Sequence, residues 1–261
     1  MKIIKTIILL SLIFCIVSCS NKDDSNEEQQ EIPTSKIYKK TELIDGSNSY
    51  IVQEIFYESA KIKKLVFNKD NFWVMKTYTV SYTGNEIENI IEAGDYSSPS
   101  LEDYEIVNQI SKTGNNYIIS SDKNIFSLEI NFTGDYVNST KVFETSNPSN
   151  IYYQESFTRN SQNQLVSSNS DDFNVSYSNY DSNKEQNPLG NVYFSEFQAY
   201  IFILGLKFSE DTPQNAIQSQ SSFSYEIEVD LEYDIDGYVT KSNYSFDNAS
   251  PLQYIHSYIV E

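Results

Sequence analysis

The chain has 261 residues, of which 37 are acidic and 18 basic, so its formal net charge is −19 at pH 7. A surface this acidic repels nucleic acid phosphates, which excludes nucleic acid as a partner. The 21 Tyr and 15 Phe residues, with only 8 Gly and 6 Pro, favour strands over helices.

The amino terminus has the pattern of a secretory leader. Lys2 and Lys5 precede an almost unbroken apolar run of eleven residues, Ile7 to Val17. A membrane-spanning helix needs about 20 apolar residues, so this run is too short to be a stable anchor. A positive start, a short apolar run and a small residue at its end are typical of a signal peptide, which we predict over residues 1–18.

The end of the leader resembles the lipobox of bacterial lipoproteins, on the residues Ile16-Val17-Ser18-Cys19. The resemblance implies that Cys19 is acylated and becomes the new amino terminus. Two or more acyl chains hold a protein stably at a membrane, which is therefore the predicted partner of Cys19. Removal of the leader leaves 16 basic and 37 acidic residues, a net charge of −21.

Residues 19–35 are predicted to be a disordered tether, because Ser20 to Gln30 contains no apolar residue. Within it, Lys22, Asp23 and Asp24 resemble the surface-export signal of Bacteroidetes lipoproteins. The resemblance implies an outer-membrane protein that faces the cell exterior. The alternative is that these residues only solvate the tether and that the protein stays on the periplasmic face.

Residues 36–261 are predicted to form a single β-repeat domain. Apolar residues alternate before polar turns at Gly84-Asn85, Gly134-Asp135 and Asp236-Gly237, which is the pattern of β-hairpins. The predicted fold is all-β, an antiparallel sheet of consecutive hairpins forming a meander, with a flat, curved, closed or solenoid-like shape left open. Aromatic residues before turns suggest a repeat of about 25 residues; they are Tyr57, Tyr82, Phe132 and Phe157.

One segment breaks the alternation. Phe194, Phe197, Tyr200 and Leu204 follow the three-and-four spacing of a helix, so one short amphipathic helix is predicted over Val192–Leu204. The alternative is a buried strand, because Tyr200 to Leu204 is apolar on both faces.

The last hairpin contains the form Y-D-x-x-G, in Tyr233-Asp234 and Gly237, followed by Tyr238 and Lys241. Together with Asn187-Pro188, it resembles Bacteroidetes lipoproteins that carry a domain of unknown function with YD-like β-hairpin repeats. The resemblance runs loosely from Lys36 to Glu261. It implies an antiparallel architecture of consecutive hairpins and no known activity.

Few residues suggest catalysis. His256 is the sole histidine, and we interpret it as a structural or solvated strand residue without a catalytic serine motif. Zinc needs several His or Cys ligands, and the chain after the leader lacks them. The segment Glu232 to Asn243 resembles a calcium loop at its start but lacks the final Glu, so we predict a turn there. No metal or other cofactor is expected.

Two kinds of residue keep a function open. Paired carboxylates could act in a glycosidase, although no acid stands in an apolar setting that would raise its pKa. Exposed aromatic rings could bind a glycan or a protein, and Trp73 is the candidate contact, with a core position as the alternative. The prediction is a lipid-anchored β-repeat lipoprotein with a non-catalytic binding or adhesive role. The alternatives are a carboxylate-dependent glycan hydrolase and a curved-sheet carrier of an apolar ligand.

Overall fold

A computed structural model describes residues 36–67, 74–96, 102–121, 123–171, 173–181, 197–220, 223–246 and 251–260. The predicted signal peptide and tether lie outside these ranges. Residues 36–261 form one compact unit.

Sixteen strands and one helix follow one another along the described residues. The first eight strands are β1 Lys36–Asp45, β2 Asn48–Glu58, β3 Lys61–Phe67, β4 Val74–Thr83, β5 Glu86–Tyr96, β6 Tyr104–Thr113, β7 Asn116–Ser120 and β8 Phe126–Thr133. The others are β9 Tyr136–Glu144, β10 Asn147–Arg159, β11 Leu165–Ser170, β12 Asn174–Asp181, helix α1 Gln198–Ile203, β13 Thr212–Gln220, β14 Phe223–Tyr233, β15 Val239–Phe246 and β16 Leu252–Val260.

Each strand pairs antiparallel with the next, and β1 pairs with β16, so the sheet closes into a barrel. The prediction of an all-β antiparallel sheet of consecutive hairpins with one short helix is confirmed. Its shape is a closed barrel, not an open or solenoid-like sheet. Closure removes the two edge strands that an open meander of this length would leave unpaired.

The alternation of apolar and polar side chains along each strand gives the barrel an apolar inner face and an exposed outer face. In β14, Ile227 and Val229 are buried in the interior, whereas Glu226, Glu228 and Asp230 between and beside them are exposed on the outside. Successive side chains of a strand point to opposite faces, so one period-two pattern produces both surfaces.

The predicted turns at Gly84, Gly134 and Gly237 are confirmed, and these three glycines have positive φ angles of 60° to 87°. They lie at one end of the barrel, named the lower rim, where even-numbered strands turn into the following odd-numbered ones. The opposite end, which contains the turns at residues 46–47 and 145–146, is named the upper rim.

Three tyrosines near the lower-rim ends of even-numbered strands make the same kind of hydrogen bond. The hydroxyl groups of Tyr57, Tyr82 and Tyr258 donate hydrogen bonds of 2.8 to 2.9 Å to backbone carbonyl groups at the start of the preceding strand. The ladder shifts its register at Tyr57 and at Tyr82, as it also does at Phe132. The rings of Tyr57, Tyr82 and Phe132 thus pack inward beside a bulge, a feature that increases the local twist of a hairpin.

Helix α1 belongs to the barrel interior. Five of its residues are buried: Gln198, Ala199, Tyr200, Ile201 and Ile203. The helix predicted over Val192–Leu204 is confirmed for its carboxyl-terminal half, and residues 192–196 lie outside the described ranges. No helix in the described ranges has the length and apolar content needed to cross a bilayer.

The interior is a packed core. A circular barrel of sixteen strands would enclose a water-filled lumen. Here Ile55, Leu65, Ile130 and Ile227, from four different strands, are at most 1% exposed and belong to one apolar cluster that includes α1. Side chains that border a watery channel would have accessible surface, so the space around these residues is filled.

The outward side chains of β6 and β12 are mostly polar. On β6 the exposed outward side chains are Glu105, Val107, Gln109 and Ser111, and on β12 they are Asn174, Ser176 and Ser178. A barrel that crosses a membrane has the opposite pattern, with an apolar band outside and polar groups inside. Neither of these two strands presents an outward apolar band of that kind.

Candidate functional site

Several residues singled out in the sequence lie outside the described ranges. They are the lipidation residue Cys19, the export residues Lys22, Asp23 and Asp24, and the aromatic candidate Trp73. The barrel contains the other candidates, which are His256, the Asp236 turn and the carboxylates on the described strands.

His256 lies inside the barrel at the seam where the last strand meets the first. It is 5% exposed; its Nδ1 is 2.9 Å from Thr41 Oγ1 and its Nε2 is 2.9 Å from Ser242 Oγ. Thr41 is hydrogen-bonded to the hydroxyl of Tyr38, which points towards Gln53. These five side chains, named the seam network, join β15, β16, β1 and β2.

The seam network is structural. Burial lowers the pKa of His256 to about 4, so the imidazole is neutral and can donate from one nitrogen while it accepts at the other. Ser242 is 2% exposed, which leaves no path for a substrate to its hydroxyl. In the catalytic triad of a serine hydrolase, a carboxylate is the second partner of the imidazole. Here the hydroxyl of Thr41 takes that position.

A second inward cluster holds helix α1 against the wall and is named the helix anchor. The hydroxyl of Tyr200 donates to Glu92 Oε2 at 2.6 Å, and Tyr104 donates to Glu92 Oε1 at 2.9 Å. Asn108 Nδ2 donates to the Tyr200 hydroxyl oxygen at 3.0 Å. A Cβ on Gly94 would lie 2.3 Å from the Tyr104 ring, so this position requires glycine.

A second inward carboxylate, on β10, corrects a prediction. Glu155 is 6% exposed on β10, and burial raises its pKa, whereas the expectation was that no acid stands in an apolar setting. Tyr153 donates a hydrogen bond of 3.1 Å to it. The sequence contained the signal for this burial. Glu155 is two residues from both Tyr153 and Phe157, so in a strand all three side chains point to the inward face.

The acidic turn near the carboxyl end is a backbone cap. Asp234 Oδ1 accepts hydrogen bonds of 3.0 Å from the backbone N–H groups of Asp236 and Tyr238. The described residues contain no group of three acids, histidines or cysteines able to hold a metal ion. The Asp of the Tyr-Asp pair thus closes its own hairpin.

Three exposed large apolar residues of the described part of the chain lie at the upper rim. Ile125 is 65% exposed, Tyr152 is 53% exposed and Ile151 is 45% exposed. The ring of Tyr152 packs edge-on against Phe126, with the ring centroids 4.6 Å apart. With the polar residues Glu144 and Asn150 beside them, these residues are named the upper-rim patch.

The local chain explains why the patch is exposed. The pairing of β10 with β9 jumps from Asn147 opposite Glu144 to Ile151 opposite Phe143, and shifts again at Tyr153. The extra residues bulge out of the ladder and re-aim the side chains that follow. Tyr152 is therefore brought against Phe126, a residue two strands away.

Hydrogen bonds fix the polar half of the patch. Asn150 Nδ2 donates to Glu144 Oε2 at 2.9 Å and to the Tyr152 hydroxyl oxygen at 3.1 Å. Ser146 Oγ donates to Glu144 Oε1 at 2.6 Å. These donors lower the pKa of Glu144, so its carboxylate stays ionised at neutral pH.

Sequence reasoning missed the upper-rim patch and selected Trp73 instead. The stretch "NPSNIYYQE" has the signals of a bulge, because Pro and Asn interrupt the strand just before two adjacent Tyr residues. The contact between Tyr152 and Phe126 joins residues far apart in the chain, and no local pattern predicts it.

No protein-family model matches this sequence, and no curated protein matches it. Among solved structures, a porin-like protein from Bacteroides vulgatus ATCC 8482 is similar, with 10% identity and a TM-score of 0.49 over 86% of this chain and 99% of that chain. A porin-like protein from Bacteroides uniformis ATCC 8492 is similar with 11% identity and a TM-score of 0.43, over 87% of this chain and 98% of that chain. Similarity this weak carries no inference about function.

Proposed function

We propose that this chain is a lipid-anchored outer-membrane lipoprotein whose barrel faces the cell exterior and binds an extracellular ligand through the upper-rim patch, without catalysis. The observation that carries the proposal is the exposure of Ile125, Ile151 and Tyr152 at the upper rim, where Asn150 links the Tyr152 hydroxyl to Glu144. Exposed apolar groups rimmed by polar ones are typical of interaction sites.

The interior argues for a binding role in preference to the two alternatives. A hydrolase needs two carboxylates that reach a substrate, yet Glu92 is bonded to two tyrosine hydroxyl groups and Glu155 is buried. A carrier needs an apolar space, and the inward apolar residues of the wall are packed against α1. The outside of the barrel is left as the surface on which a ligand can bind.

The anchor belongs to the proposal through the sequence. The lipobox at Cys19 supports attachment by acyl chains, and the mostly polar outward side chains of β6 and β12 are compatible with a barrel held beside the membrane. Changing Cys19 to Ala should abolish partitioning of the full-length protein into the detergent phase. Equal partitioning of the two proteins would contradict the lipid anchor.

The side of the membrane is tested separately. Changing Lys22, Asp23 and Asp24 to Ala alters the mature net charge only from −21 to −20, so a loss of display cannot be a charge effect. Protease treatment of intact cells should degrade the wild-type barrel and leave the triple variant intact, with equal amounts of lipidated protein. Protection of both proteins would contradict surface display.

Binding is tested with whole cells that express the full-length protein, on surfaces coated with mucin, which presents both peptide and sugar chains. The Tyr152→Ala variant should adhere at least several-fold less than wild type. The matched control is Phe56→Ala, which removes an aromatic ring that is 40% exposed on β2 and should leave adherence unchanged. Equal adherence of all three proteins would contradict a role of the patch.

A further inference from the structure

We infer that the upper-rim patch is a subsite for a neutral carbohydrate; this inference rests on the binding role proposed above. The patch combines an exposed aromatic ring with hydrogen-bonding groups held beside it. A sugar ring has apolar C–H faces and a polar rim of hydroxyl groups, so it needs both kinds of contact at once.

The aromatic half of the site is rigid. The ring of Tyr152 is 53% exposed, and the edge-on contact with Phe126 at 4.6 Å limits its rotation. A tyrosine that is already held in place loses little conformational entropy when a ligand stacks on it. Ile125 directly precedes Phe126 and Ile151 directly precedes Tyr152 in the chain, and both expose apolar side chains at the same rim.

The polar half has the groups that recognise hydroxyls. A carboxylate can accept about four hydrogen bonds, and Ser146 and Asn150 each supply one to Glu144. The Tyr152 hydroxyl accepts its bond from Asn150, so its own proton is directed elsewhere. The site can therefore accept hydrogen bonds from sugar hydroxyls at Glu144 and donate one at Tyr152.

Charge selects neutral sugars over anionic ones. The chain has a net charge of −19, and the carboxylate of Glu144 lies in the patch itself, so sulfated or uronic acid-rich glycans are repelled. A basic peptide is the competing ligand. Two hydrogen-bond donors already compensate the charge of Glu144, which favours hydroxyl groups over a cation as its next partner.

The test measures binding of the purified full-length protein in detergent to immobilised neutral polysaccharides (a β-glucan, a mannan and a galactan) and to heparin as the anionic counterpart. At least one neutral polysaccharide should bind, and heparin should not. Tyr152→Ala should lower the affinity at least tenfold, Tyr152→Phe only about two- to threefold, and Phe56→Ala not at all. The melting temperature of each variant checks that the fold is intact.

Salt and a second variant separate sugar from a basic peptide. Binding of a neutral sugar should change less than twofold between 50 and 500 mM NaCl, whereas binding of poly-lysine through Glu144 would fall steeply. Glu144→Gln should weaken sugar binding a few-fold, because the amide accepts fewer hydrogen bonds. Salt-sensitive poly-lysine binding that Glu144→Gln abolishes, without binding to any neutral sugar, would overturn the inference.

The inference and the proposed function can fail independently. If no neutral polysaccharide binds but Tyr152→Ala still reduces adherence to mucin, the carbohydrate inference is wrong and the binding role of the patch stands. If Tyr152→Ala changes neither measurement, both are wrong.

Discussion

The seam network and the helix anchor are both polar clusters inside the barrel, but they are assembled differently. In the seam, His256 lies directly opposite Thr41, and Thr41 lies opposite Gln53, so neighbouring strands in register supply the partners. In the anchor, Tyr200 comes from a helix and meets Glu92, which is 108 residues earlier. Strand pairing therefore assembles the seam network, whereas the helix anchor forms only when a segment distant in the chain packs against the wall.

The two clusters also differ in charge. The seam consists of neutral groups around His256, which is 5% exposed. The anchor contains a carboxylate with Lys76 Nζ at 3.9 Å, and the Lys76 and Glu92 side chains are 38% and 16% exposed. Hydrogen bonds to charged groups contribute about 1.5–3 kcal/mol, against about 0.5–1.5 kcal/mol for neutral pairs. Loss of the anchor should therefore cost more than loss of the seam.

The largest expected effect is that of Tyr200→Ala. The substitution removes a ring that packs edge-on against Tyr78 and leaves Glu92 and Asn108 without its hydroxyl. We expect a loss of about 3–5 kcal/mol, or roughly 10 °C in melting temperature. Tyr200→Phe keeps the ring and should lose only about half as much. If thermal denaturation showed equal losses of stability for the two variants, the hydroxyl and not the ring would be the main contributor.

The next largest effect is a dependence on pH that belongs to the seam. The pKa of His256 falls from 6.5 to about 4 on folding, so the unfolded chain binds the proton more tightly. The stabilisation that depends on neutral His256 is fully present above pH 6.5. It is lost as the pH falls towards 4, which lowers the free energy of unfolding by about 3 kcal/mol. Urea unfolding between pH 4 and 8 measures this loss.

A variant without the imidazole isolates that contribution from the carboxylates, which also titrate at acidic pH. The stability of His256→Leu should fall less steeply between pH 6.5 and 4 than that of the wild type. Identical slopes for the two proteins would mean that folding does not lower the pKa of His256.

A smaller loss is expected for His256→Leu at pH 8. Leucine fills most of the volume of the imidazole but leaves the hydroxyl groups of Thr41 and Ser242 with one partner fewer. The expected cost is about 2 kcal/mol, measured by urea unfolding. Ser257→Ala, on the outward face of the same strand, is the control and should change stability by less than about 0.5 kcal/mol. A His256→Leu variant as stable as this control would make the seam network dispensable.

The smallest effect should be a gain. Burial raises the pKa of Glu155, so ionisation of this carboxyl group opposes folding as the pH rises above its ordinary range. Glu155→Gln keeps an oxygen that accepts the hydrogen bond from Tyr153 and removes the charge. The variant should be slightly more stable than wild type at pH 8 and equal to it at pH 4. A less stable variant at pH 8 would indicate that the charge itself is required.

Local features of the sequence determined the elements of the fold. Alternation of apolar and polar residues predicted the strands, the glycines at positions 84, 134 and 237 predicted the turns, and three-and-four spacing predicted α1. The predictions for Cys19, Lys22, Asp23, Asp24 and Trp73 lie outside the described residues and stay predictions. Such patterns are readable because they depend on neighbours a few residues apart.

The tertiary structure alone decided the closure of the barrel, the surroundings of His256 and the upper-rim patch. Period-two alternation is the same in a flat sheet and in a barrel, so the pairing of β1 with β16 leaves no trace in the local pattern. Tyr152 is exposed because a bulge in β10 turns it towards Phe126. Contacts of this kind depend on the register of strands that are distant in the chain, and that register is set only when the whole sheet packs around its core.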